Sequence, residues 1–433
     1  MLRDVLAIAI GRLTRRALLL VRPGGGTAIP GRVVERLSPD LLVRILRQPR
    51  LVVVTGSNGK GTTTKMLAAI LRAHGVDLWT NRMAGNITRG LLSELITVVD
   101  ARGRFPHELA VLEVDEAYSA VLLERTGVDT TVLLNVMLDQ LHRWGSPDRA
   151  AEYLARTARA TGGALVLNRD DGHLRAIGTD PAGGLRAEVR WFGLAPALLA
   201  ALPHGNGSAP YFGPDHGGPA VGASTTEVLA VDGRSAVLGL SGDGELEVGL
   251  PSPGVHLAAD SAAAVEAARA VLRERFDPEV ADAALTAETS MFARGEVAEI
   301  RGVPTRLLLM KSPPTAQANL DVLPGSPEQL MVIAGKDLPD PSLLWPVDWS
   351  AVDRVRVVTG QQAQEMALRL VYSGIRVDEV IEDVGRAAER FTALPPPTDG
   401  LRTVVFTAEG MRTFRRLLGL HGASTKAAPE DAA

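Results

Sequence analysis

The stretch VVVTGSNGKGTTTKMLAAIL, from Val52 to Leu71, sets Gly56, Gly59, Lys60 and Gly61 between a short apolar run and a second run with helical spacing. Residues of these types in this order suit a bound phosphate. Glycine lets the backbone come close to an anion, amides at a helix start point toward it, and a lysine adds a mobile positive charge. Thr62 or Thr63 then offers a hydroxyl to Mg²⁺. Ser57 and Asn58 complete a loop running from Gly56 to Thr63. The strict phosphate-loop pattern requires glycine at position 54, where this chain has Val54, so the loop is a variant.

Three further clusters of polar residues follow apolar runs. Glu113 closes LAVLEV together with Val114, and Asp115 and Glu116 come directly after. A carboxylate there would hold Mg²⁺ directly or through water, with solvated acids at a strand end as the plainer reading. Asn135 ends TTVLLNV and is followed by Asp139, Gln140 and His142, groups suited to ordering metal-bound water or a nucleotide. A surface or capping histidine is the alternative for His142. Asn168, Asp170 and Asp171 follow ALVLN and suit adenine or ribose contacts, although an Asx turn accounts for them nearly as well.

These groups can meet only if several strands deliver their carboxyl ends to one crevice, as an open α/β sheet does. The alternation of strand-like and helix-like runs points to such a sheet, mostly parallel. At 433 residues the chain exceeds the size at which a single core keeps growing. The expected division is an N-terminal helical segment at 1–50, a phosphate-binding central domain at 51–293 with a small insertion near 203–251, a smaller Rossmann-like domain at 294–421, and a disordered tail at 422–433. A formal net charge of −4 gives no global attraction for nucleic acid. With no cysteine, the chain has no disulfide, thiolate metal site or cysteine nucleophile, which fits a reducing cytoplasm. The first 21 residues read as an amphipathic helix, because Arg12, Arg15 and Arg16 interrupt an apolar run shorter than the roughly 20 residues a membrane span needs. Packing on its own domain is the first expectation for this helix. Contact with the inner face of a membrane is the second.

TGSNGKGTTT, LEVDEA, NVMLDQLHRWG and LNRDD, in this order, resemble the ATP-binding domain of Mur-type amide ligases. The resemblance is strongest to the MurT family, the ligase-like subunits of lipid II isoglutaminyl synthase. GGTAIPGRVVERLSPDLL is similar to the MurT N-terminal segment, and DPSLLWPVDW with VVTGQQAQEMALRLVYSGI to its C-terminal domain. This likeness implies a ligase that uses ATP and Mg²⁺ to activate the α-carboxylate of D-glutamate in the lipid II stem peptide as an acyl phosphate. Ammonia from a GatD-like glutaminase, forming a heterodimer with this chain, would then yield D-isoglutamine. It also implies roles for single residues: Lys60 on the β/γ-phosphates, Thr62 and Glu113 on Mg²⁺, and Asn168 with Asp170 at the nucleoside. Arg294, in FARGE, would reach ATP when the domains close, and Lys311 would line the substrate pocket. Asp340 would support the glutaminase histidine at the interface.

The chain departs from the family at several points. Gly61 stands where a Thr usually follows the loop lysine, a form familiar from folylpolyglutamate synthetases. The MurT zinc ribbon is not expected, because residues 203–251 carry no cysteine. No lysine occurs between Lys65 and Lys311, so the carbamylated lysine that holds a second Mg²⁺ in many Mur ligases has no counterpart. KSP replaces KNP, and Gln361 replaces a usual Arg. Two alternatives follow: an amide ligase of this type acting on another carboxylate, and a degenerate ATP-binding scaffold.

Overall fold

The computed structural model describes residues 2–21, 28–81, 88–137, 146–202, 204, 221–222, 224–251, 253–287, 294–337 and 344–420. His142, Asp340 and the tail from 422 lie outside them, as does the side chain of Arg294.

Strand β1 (Arg50–Thr55) has an uninterrupted apolar stretch, Leu51 to Val54, because a central parallel strand is covered on both faces. Its alternate residues feed two cores. Val52 and Val54 pack with Met66, Leu67 and Ile70, whereas Leu51 and Val53 pack with Ile45, Leu46 and Ile96. Around β1 runs a sheet of nine strands in the order β2-β3-β1-β4-β5-β6-β7-β8-β9. These are β2 (Leu78–Thr80), β3 (Leu109–Glu113), β4 (Val128–Leu133), β5 (Thr161–Asn168), β6 (Glu188–Leu194), β7 (Thr226–Asp232), β8 (Ser235–Leu240) and β9 (Gly244–Gly249). Pairing is parallel from β2 through β7, and β7 to β9 close the edge as an antiparallel meander.

The helices of this part are α1 (Leu2–Val21), α2 (Ile29–Leu37), α3 (Leu41–Leu46), α4 (Lys60–Ala73), α5 (Thr88–Val98), α6 (Glu116–Thr126), α7 (Pro147–Ala160), α8 (Gly172–Thr179), α9 (Pro196–Ala201), α10 (Val255–Leu272) and α11 (Pro278–Ala287). Helix α10 is alanine-rich, so it both propagates well and comes close to its neighbours. It packs on α4 and across β4 to β7, with Leu257 to Ala268 buried. Glu266 on α10 is fully buried, and its carboxylate is bonded by Thr226 Oγ1 at 2.5 Å, Arg269 Nη1 at 3.0 Å and Arg190. Removing one partner of such a buried charge network is strongly destabilising.

A second sheet of six strands has the order β10-β11-β15-β12-β13-β14. Its strands are β10 (Arg294–Ile300), β11 (Val303–Leu309), β12 (Leu330–Ile333), β13 (Arg354–Thr359), β14 (Arg376–Ile381) and β15 (Arg402–Phe406). All pairs are parallel except β10 with β11. Helices α12 (Pro313–Asp321), α13 (Ala363–Tyr372), α14 (Val384–Thr392) and α15 (Ala408–Leu417) complete this part. The expected α/β architecture of two mostly parallel sheets is therefore present, and β10 starts at Arg294. Among the described residues, no helix is long and apolar enough to cross a membrane.

Candidate active site

Strand β1 lies between β3 and β4, and the chain leaves it toward β2 and β3 on one side before returning to β4 on the other. A crevice opens at such a switch point, outside the carboxyl ends of the strands. The register puts Val54 beside Glu113 and Val132, so the loop after Thr55 and the acids after β3 emerge side by side.

Two glycines set the loop's course. Gly56 has φ +134° and Gly59 has φ +83°, conformations that side chains resist. A Cβ on Gly56 would stand 3.0 Å from the Asn135 backbone nitrogen, and one on Gly59 would overlap the carboxylate of Asp260, a buried residue of α10. Helix α4 then begins at Lys60 with its amide end facing the loop. Lys60 is only 6% exposed and its Nζ curls back onto its own loop, donating to Gly56 O and, at 3.2 Å, to Ser57 O. Glu116 Oε2 lies 3.5 Å from it and is almost fully buried. Glu116 thus faces the lysine from the start of α6, and Glu113 stands at the strand end with its backbone fixed by Asn81. Asn81 accepts from Glu113 N and donates to Glu113 O, both at 2.9 Å.

Asn135 acts on the loop itself. Its Oδ1 accepts from Asn58 N at 2.8 Å, its Nδ2 donates to Asn58 O at 3.2 Å, and its carbonyl accepts from Ser57 N at 3.0 Å. Ser57 Oγ accepts from Met137 N at 3.0 Å. Asn135 thus clamps the phosphate loop in shape.

Asn168 and Asp170 are likewise engaged with backbone. Asn168 donates to Leu134 O at 3.0 Å and accepts from Asp170 N at 2.9 Å. Asp170 accepts from Leu194 N at 2.7 Å. Each keeps further hydrogen-bonding capacity, a second N–H on Asn168 Nδ2 and the Oδ1 of Asp170, which lies 3.5 Å from Arg169 Nε. The adjacent Asp171 caps α8 through Leu174 N and also accepts from Val136 N at 2.6 Å.

Burial disfavours the charged form of Asp170 and Asp171 and holds both carboxyls above their ordinary value near 3.8. A carboxyl raised in the native state stabilises the fold fully below its unfolded value, and that contribution is lost as pH rises through the native value. The wild-type chain is therefore expected to gain stability relative to Asp171→Asn as pH falls through the raised native value toward the ordinary value near 3.8, measured by urea unfolding at each pH. A difference that moves the other way would refute the raised native value.

The second sheet reaches the loop. Ser312, the N-cap of α12, accepts from Asn58 Nδ2 at 3.4 Å, and Thr315 Oγ1 donates to Asn58 Oδ1 at 3.3 Å. Lys311 is exposed immediately before Ser312, at the carboxyl end of β11. Arg294 pairs with Leu308 at the start of β10, next to a bulge before Glu296. His204 lies between Asp321 at 3.0 Å and Asp348 at 3.3 Å, a second bridge between the two parts.

Several contributors were not singled out from sequence. Asp260 was visible only as an isolated acid within an alanine run. Ser312 and Thr315 look like ordinary helix-start residues, and their meeting with Asn58 spans more than 250 positions. Thr62 is buried, and the hydroxyls of Thr55, Thr63 and Thr64 are buried without a hydrogen-bond partner. Orphaned hydroxyls beside a helix amino end and a lysine fit a phosphate group with its Mg²⁺. Thr62 and Glu113 would hold that ion. Among the described residues no set of three or more His, Cys, Asp or Glu side chains is arranged to hold a metal unaided, but Mg²⁺ at nucleotide sites needs only one or two protein ligands besides phosphate and water.

Comparison with known proteins agrees with this architecture. Residues 54–183 match the Mur ligase middle domain. Over 171 residues the chain is 29% identical to the lipid II isoglutaminyl synthase (glutamine-hydrolyzing) subunit MurT of Staphylococcus aureus, covering 39% of this chain and 38% of the relative. The match therefore spans well under half the length of that relative. The structure resembles MurF from Acinetobacter baumannii, with a TM-score of 0.66, 17% identity, and 89% and 80% of the two chains covered. It also resembles the Mycobacterium tuberculosis folylpolyglutamate synthase complexed with ADP and AMPPCP, with a TM-score of 0.63, 17% identity, and 96% and 99% covered. The chain thus has the fold of these solved structures, matches the Mur ligase middle domain over residues 54–183, and is similar to MurT over about two fifths of its length.

Proposed function

We propose that the protein is an ATP-dependent C–N ligase that amidates the α-carboxylate of D-glutamate in lipid II or a related peptidoglycan precursor, with ammonia supplied by a GatD-like glutaminase subunit. The observation that carries this reading is the meeting of Asn58 with Ser312 and Thr315. A loop shaped for phosphate at the crevice of one sheet is touched by the strand end of another, so both parts face one reaction space. In the reaction a carboxylate oxygen attacks the γ-phosphorus of ATP and ADP leaves, giving an acyl phosphate. Ammonia then attacks the carbonyl carbon, phosphate departs with the C–O electron pair, and a proton is lost to leave the amide.

Each group has a task in this scheme. Lys60 would leave the carbonyls of Gly56 and Ser57 for the transferring phosphoryl group, where a fixed cation offsets developing charge. Lys311 would meet the substrate carboxylate, and Asp340 would stand at the glutaminase interface. When bound, Mg²⁺ neutralises phosphate charge. Closure of the second sheet over the loop would keep water from a hydrolysable anhydride. The similarity to the MurT subunit of lipid II isoglutaminyl synthase and to a folylpolyglutamate synthase complexed with ADP supports this reading.

The test is a mixture of the purified chain, its glutaminase, glutamine, ATP, Mg²⁺ and lipid II. The expected result is ADP release in step with the mass change of replacing a hydroxyl by an amino group. Gly61 favours a second reading, a ligase that joins glutamate rather than ammonia. Turnover that depends on glutamate and ignores ammonia would select it.

A further inference from the structure

Helix α1 has two faces of different fate. On one face Ala7 and Ile8 are buried, and Gly11 lies so close to α2 and α5 that a Cβ would overlap Val34 and Ile96. Arg12 secures this side by donating to Ile96 O at 2.7 Å and Val99 O at 2.5 Å. Asp4 does the same by accepting from Ser38 and Arg44, both at 2.6 Å.

The opposite face is apolar and open. Leu2 is 76% exposed, Leu6 54%, Ile10 40%, Leu13 63% and Leu20 86%. At 3.6 residues per turn these five fall within about 80° of arc, on the side away from Ala7, Ile8 and Gly11. Arg3 and Arg16 border the stripe, and Arg15 is exposed as well. Helix α1 carries four arginines against the single acid Asp4, in a chain whose formal net charge is −4.

We propose that α1 docks this protein on an anionic lipid bilayer surface, lying in the interface with the leucine stripe turned inward. Charge complementarity selects this occupant. Two arginines flank the stripe, Arg16 and Arg3, the latter also donating from Nε to Leu37 O, and such a cationic rim on an acidic chain is attracted to anionic headgroups, with bilayer binding growing with buried apolar area plus that attraction. A second copy of the chain fits less well. A helix–helix seam would recur at 2, 6, 9, 13, 16 and 20, which places Ala9 and the guanidinium of Arg16 at buried positions. At a bilayer interface the arginine stem lies along the apolar surface while its head stays in water.

The experiment is co-sedimentation of the full chain with phosphatidylglycerol-containing vesicles, against phosphatidylcholine vesicles, with thermal unfolding and sedimentation velocity run in parallel. The wild-type chain should bind the anionic vesicles preferentially, and less as salt rises. The double variant Leu6→Glu/Leu13→Glu, at exposed positions, should unfold at the wild-type temperature and bind at least about tenfold more weakly. Arg3→Glu/Arg16→Glu, at the two exposed arginines that flank the stripe, should lose the preference for anionic lipid. Absence of binding to anionic vesicles, binding unchanged in the leucine variant, or self-association that the leucine variant abolishes without vesicle binding would each overturn the proposal.

Discussion

Lys60→Met is expected to lower ATP-dependent turnover by about 100-fold to 1,000-fold, the usual loss when one preorganised donor to a developing charge is removed. The argument rests on where the lysine sits. Its ammonium is buried in the loop, held by the Gly56 and Ser57 carbonyls and facing Glu116. Those partners lie on the loop itself and at the adjacent strand end, so the cation is already at the site and needs little reorganisation to reach a phosphate. The same burial complicates a single substitution, because methionine leaves Glu116 facing an apolar chain and part of the effect would be lost stability. The pair Lys60→Met/Glu116→Gln separates the two. It is expected to recover the wild-type unfolding temperature while turnover stays at the Lys60→Met level. Recovery of turnover with stability would mean that Lys60 holds the fold and does not act on phosphate.

Gly59→Ala is expected to destabilise the chain by about 2–4 kcal/mol and to abolish measurable nucleotide binding. Two costs combine. The left-handed backbone at φ +83° is strained for alanine, and the new methyl group would overlap the Asp260 carboxylate. The second can be relieved and the first cannot. Gly59→Ala/Asp260→Ala should regain part of the lost stability by removing the overlap, leaving about 1 kcal/mol or more from the backbone. Urea unfolding of the four proteins in this cycle measures the coupling, and calorimetry with ADP measures binding. Strictly additive effects would show that Asp260 does not press on the loop.

The match between sequence and structure differs by level, for identifiable reasons. Runs such as LVVV and LAVLE were legible as buried strands because a parallel strand covered on both faces leaves little room for polar residues. The phosphate loop was legible because glycine, lysine and threonine must coincide with a strand-to-helix turn. Asn135, Asn168 and Asp170 were legible as polar residues at strand ends, but not in their partners. An amide or carboxylate there serves a ligand or a backbone N–H equally well, and residue type does not separate the two. For α1 the arginine interruptions excluded a span, yet which leucines face outward depends on how α2 and α5 take up the other face.

By itself, the sequence determined the elements and the phosphate loop, since hydrophobic periodicity and turn chemistry are local and are written in neighbouring residues. The tertiary structure alone decided that Glu116 faces Lys60, that Asp260 closes on Gly59, and that Asn58 meets Ser312 and Thr315. Those contacts join positions from 56 to 257 residues apart, and their existence depends on strand order and helix docking, which no local pattern encodes.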